Sequence, residues 1–221
     1  GGDAMRRPFI GATIVAIVLI ALMAGPASAG YVDNQRGSNL VAQVVWGSGD
    51  PETGAGTFGG IAASIDEYGS SVHLWEESAV EITCDSGTPG DPSDDYAART
   101  GTMRTGQGPA TVSIASNLRS ASAEGVLSQI ETWQFNDCTG EYVFVGSEQD
   151  VSVSLSLVAV GRPEPWADQY HEKIAGEFNM VQITRSMSRV ADGTVMLGGD
   201  AYAFDAGLIS RNSWNGHLSA R

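Results

Sequence analysis

The chain is short of the residues that most enzymes and nucleic-acid binders depend on. Among its 221 residues there are 3 histidines and 2 cysteines, and Lys173 is the single lysine. Lys+Arg number 12 against 26 Asp+Glu, giving a formal charge of -14, and no basic cluster in the sequence offsets it. Such a chain repels a phosphate backbone, so nucleic acid is not an expected partner. Acidity of this kind keeps an exported protein soluble. No G-x-S-x-G elbow, P-loop or S-x-x-K occurs. His171-Glu172 opens like a zinc-protease motif, but Ala175 stands where the second histidine is required. The cysteines have no histidine at zinc-motif spacing either. No catalytic residue is assigned on these grounds, and a non-enzyme is favoured.

Long apolar runs are missing too, with one exception. Met5-Arg6-Arg7 precedes an apolar stretch over residues 9–24, Gly25-Pro26 breaks it, and Ala27-Ser28-Ala29 follows. These are the charged region, the apolar region and the small-residue cleavage site of a helical signal peptide. Residues 1–29 therefore read as an upstream extension and signal peptide, and residues 30–221 as a single exported β domain. The apolar stretch is shorter than the roughly 20 residues of a spanning helix. Uncleaved, it would be a membrane anchor and the only route to a membrane. The expected location is secreted, periplasmic or at the cell envelope. In such a compartment Cys84 and Cys138, each ending a strand-like run, are expected to pair.

What is present in quantity is glycine, serine and alternating apolar residues. Val151, Val153, Leu155 and Leu157 alternate with Ser152, Ser154 and Ser156, which puts one set on each face of a strand. One buried and one wet face suit an antiparallel sheet. Turn signals recur along the chain, so the expected fold is all-β: an antiparallel sandwich or barrel of about ten to twelve short strands. In detail, residues 31–38 read as frayed, 40–46 as the first strand, and 101–108 as loop or edge strand. Turns are expected at Ala123-Glu124-Gly125, Ala191-Asp192-Gly193 and Asn215-Gly216. Pro163 and Pro165 are expected to be unpaired, and 168–175 to make a helical turn.

Candidate sites are few. The acidic loop after Cys84 carries Asp91, Asp94 and Asp95, hard oxygen donors suited to calcium, although aspartate also favours turns for its own reasons. Calcium is the one cofactor worth testing. Trp166 in its Pro-Glu-Pro-Trp turn, Trp214 beside Asn215-Gly216, and Tyr96 are the candidate ligand-binding residues, offering rings to a sugar or an apolar partner. Glu77 and Glu81 share a strand face, which makes carboxylates available but does not build a catalytic pair. The expected function is an exported non-catalytic module that binds an extracellular protein or carbohydrate, or serves a structural role. The alternative is a secreted glycan or ester hydrolase, using carboxylates or a Ser/His pair that the fold assembles.

Overall fold

The computed structural model describes residues 32–50, 53–85, 95–174 and 178–220, and its regular elements are all β-strands. In chain order they are β1 (Val32–Asp50), β2 (Ala55–Asp66), β3 (Gly69–Cys84), β4 (Tyr96–Ile114), β5 (Ser120–Asn136), β6 (Glu141–Ala159), β7 (Glu164–Ile174), β8 (Phe178–Leu197), β9 (Asp200–Tyr202) and β10 (Ala206–Ala220). Every pairing among them is antiparallel, as the alternating pattern requires.

Consecutive strands pair from β1 to β6, and β6 pairs with β8. β10 then pairs with β8 on one side and β1 on the other, so the hydrogen-bonded neighbours return to their start. β7 follows β6 along one edge of β8, while β9 and β10 together run along its other edge.

The inward face carries one apolar core. Alternation delivers it: Ala42 and Val44 from β1, Ile61 and Ala63 from β2, Val72 and Leu74 from β3, Val153, Leu155 and Leu157 from β6. Leu127, Ile130, Val195 and Ile209 fill the remainder. Burying each of the Val, Leu and Ile side chains contributes roughly 1.5–3 kcal/mol. The end holding the β1–β2 and β5–β6 connections is here the upper end. At the lower end Leu118, in the β4–β5 turn at φ 58°, is buried against the same core.

Two parts of the sheet extend beyond the core. At the upper end β3 and β5 are joined across β4 by the expected Cys84–Cys138 disulfide, with Cα atoms 5.5 Å apart. At the lower end β7, β8, β10 and the first residues of β1 continue as a four-stranded ribbon.

The strands are longer than the turn signals implied. β1 starts at Val32 and pairs with β10 from there, so residues 32–38 are not frayed. β4 runs through 101–108 as a strand, paired with β3 throughout and with β5 as far as an irregularity after Gln107. β5, β8 and β10 pass straight through the three expected turns at 123–125, 191–193 and 215–216. Residues 168–174 are strand, not helix, and Pro165 lies within β7, whose other edge has no partner among the described residues, where proline is tolerated.

Several glycines that resemble turn or loop signals in the sequence lie within strands and have another role. Trp46 opposes Gly59, Phe58 opposes Gly47, Trp75 opposes Gly60 and Trp214 opposes Gly37. In each pair the aromatic ring covers the glycine, so closely that a Cβ would collide with it. These glycines are seats for rings on the facing strand, not breaks in their own.

Candidate binding face

The lower ribbon presents side chains on both of its faces, because it lies beyond the packed core. On one face, β7 contributes Glu164, Trp166, Asp168 and Tyr170, opposite Ser188, Ser186, Thr184 and Gln182 of β8. Residues directly opposite each other share a face, so β10 adds Asn212 and Trp214, and β1 adds Asn39 and Gly37. Trp166 and Trp214 are therefore brought to one face, two strands or about 10 Å apart across the sheet.

Local chemistry fixes this surface. The indole of Trp214 is held flat over Gly37, while Asn212 Nδ2 donates to Asn39 Oδ1 at 2.9 Å. Gln182 Nε2 donates to Thr184 Oγ1 at 3.4 Å, and Ser188 Oγ donates to the Glu164 carbonyl at 3.4 Å. Trp166 and Tyr170 remain 55% and 49% exposed. Aromatic faces flanked by hydroxyls, amides and the carboxylates of Glu164 and Asp168 can stack on a ring and bond its hydroxyl groups at once.

Tyr96 is elsewhere, exposed at the start of β4 opposite Cys84. Asp91 and Asp94 lie outside the described residues, and Asp95 is exposed. Among the described residues no group of three or more His, Cys, Asp or Glu is placed to hold a metal ion.

Tyr170 was missed in the sequence reading because a helix was expected there. Its signal was the alternation of Trp166, Asp168 and Tyr170, hidden by the two prolines just upstream. Also missed was a Ser/His pair: Ser71 Oγ and His73 Nε2 are hydrogen-bonded at 3.1 Å on β3. They line an open depression of about 800 Å³ together with Gln107, Gln129 and Glu131. Glu131 is engaged by Gln129 Nε2 and Trp133 Nε1, each at 3.2 Å. Ser71 and His73 are two residues apart on one strand, where any such pair meets.

A different arrangement occupies the upper end. Arg104 donates to Glu76 at 2.8 Å and to Glu148 at 2.7 Å. Burial pulls the Arg104 pKa down, but these hydrogen bonds outweigh it and hold the guanidinium above its ordinary value. Arg99 reaches Glu77 at 2.6 Å and Asp137 at 3.4 Å while its guanidinium lies 5.8 Å from the Phe135 ring centroid. Glu77 is thereby committed to an ion pair rather than to a second carboxylate.

No known protein family, curated protein or solved structure matches the chain.

Proposed function

We propose that this chain is an exported, non-catalytic β-barrel module that binds carbohydrate outside the cytoplasm or at the cell envelope. The observation carrying this reading is the ribbon face on which Trp166, Tyr170 and Trp214 stand among hydroxyl and amide side chains. The cyclic strand order supports a closed barrel. Its inward face is filled by apolar side chains, which favours recognition on the outside. Export rests on the N-terminal pattern, and the Cys84–Cys138 bridge is consistent with an oxidising compartment.

The test is titration calorimetry of the mature domain against a panel of neutral soluble polysaccharides. One of them is expected to bind the wild type, and W166A and Y170A are each expected to weaken it by about tenfold, the cost of one lost stacking contact. Equal affinity in wild type and both variants would reject the aromatic face.

The Ser71–His73 hydrogen bond in its depression favours a second reading, a weak ester hydrolase. Ester turnover that disappears in S71A would support it.

A further inference from the structure

The reverse face of the same ribbon has the opposite chemistry. Arg185 and Arg189 of β8 share it with Arg211 of β10 and Arg36 of β1. Arg211 opposes Met187 and Leu40, Arg185 opposes Ser213, and Arg36 opposes Asn215. Arg211 is thus the diagonal neighbour of both Arg185 and Arg189, at about 7–8 Å between their backbones. Arg36, Arg185 and Arg211 are exposed, with Ile183 and Met187 exposed between them.

Among the described residues no carboxylate forms an ion pair with these arginines. Among the described residues, the positions sharing this face from Gln169 through β8 and β10 to Ser38 include no Asp or Glu. Arg189 Nη1 donates to the Gly161 carbonyl at 3.0 Å and Arg211 Nη2 to the Ser116 carbonyl at 2.8 Å, which orients both guanidinium groups without neutralising them. The buried Nε of Arg189 has no hydrogen-bond partner. Like charges this close repel one another across strands. In a chain with 26 acidic residues against 12 basic ones, leaving four arginines together without a carboxylate costs stability and points to a ligand.

We propose that this face binds a linear anionic polysaccharide, its carboxylate or sulfate groups taken by the guanidinium forks of Arg36, Arg185, Arg189 and Arg211. An all-arginine set suits such oxyanions, because the planar guanidinium fork can take two oxygens of a carboxylate or sulfate in bidentate fashion. The zigzag spacing suits a polymer carrying charge on successive units. Single-stranded nucleic acid fits worse, because its bases need aromatic platforms and the ribbon's exposed aromatics are on the other face. An acidic peptide would use the unpaired edge of β7 and its main-chain groups rather than a sheet face. The residues involved are distinct from Trp166 and Tyr170, so this inference and the carbohydrate reading of the aromatic face can fail separately.

The test uses dextran sulfate and polygalacturonate as probes, dextran as the neutral control, and calorimetric titration of the mature protein. Arg36 and Arg185 are exposed and make no hydrogen bond or ion pair with the described residues, so R36Q/R185Q leaves folding intact; its circular dichroism spectrum checks this. One or both polyanions are expected to bind the wild type with an affinity that falls as salt rises, while dextran binds no better to this face. R36Q/R185Q is expected to lose about tenfold or more in affinity, whereas W166A retains it. Failure of both polyanions to bind overturns the proposal, as does unchanged affinity in R36Q/R185Q. Tighter binding of poly-glutamate or of a single-stranded oligonucleotide than of either polysaccharide overturns it as well.

Discussion

The two ends of this molecule treat arginine in opposite ways. At the upper end Arg99 and Arg104 each lie between two carboxylates, and Arg99 also faces the Phe135 ring. At the lower end Arg36, Arg185, Arg189 and Arg211 share one face that holds no carboxylate among the described residues, where Arg189 and Arg211 donate to carbonyl oxygens. The same side chain therefore does structural work in one region and stands ready for a ligand in the other. A charge satisfied within the fold resists removal, whereas an unanswered charge can be removed at little cost to stability. Loss of binding without loss of folding is what separates the two.

The largest expected effect lies at the upper end. Removing the disulfide in C84S/C138S is expected to lower stability by about 4 kcal/mol, since the bridge closes a loop between residues 54 apart. Urea unfolding followed by tryptophan fluorescence measures it, and a change below about 1 kcal/mol would mean that the bridge adds little to the clamped end.

Next come the ring seats. G60V puts a side chain where the Trp75 ring and the Val44 carbonyl already are, and is expected to cost about 1–3 kcal/mol with a shift in tryptophan emission. An unshifted spectrum and unchanged unfolding midpoint would show that the indole moves aside freely.

R104Q leaves Glu76, whose side chain is 17% exposed, beside a neutral amide in place of a guanidinium. The expected cost is about 1–2 kcal/mol, below the value for a fully buried pair because Glu148 at the other side of Arg104 is half exposed. The smallest expected effect is that of R36Q/R185Q, within about 0.5 kcal/mol of wild type.

The sequence was informative wherever the physics was local. The alternation over Val151 to Leu157 announced a half-buried strand, and Val153, Leu155 and Leu157 are indeed in the core. The disulfide followed from two cysteines at strand ends and is present. The all-β antiparallel architecture was legible from the same patterns. Strand lengths were not, because a glycine facing an aromatic on the next strand looks, in one dimension, like a glycine in a turn. Gly37, Gly59 and Gly60 are understood only once Trp214, Trp46 and Trp75 are known to oppose them. The ribbon faces were hidden for a similar reason. Arg36, Arg185 and Arg211 are remote in sequence, and a search for basic runs cannot find a cluster made by register. Trp166 and Trp214 were each singled out alone, but their shared face depends on both flanking β8. The acidic loop with Asp91 and Asp94 lies outside the described residues, so its calcium reading stays where the sequence put it.

The most direct test of the two-ended account is a paired urea denaturation of R104Q and R36Q/R185Q beside the wild type. The account predicts a midpoint lowered in R104Q and unmoved or slightly raised in R36Q/R185Q, where like-charge repulsion is relieved, with the slope unchanged in both. An equal or larger loss in R36Q/R185Q would contradict it, because the lower arginines would then be holding the fold together rather than facing a ligand.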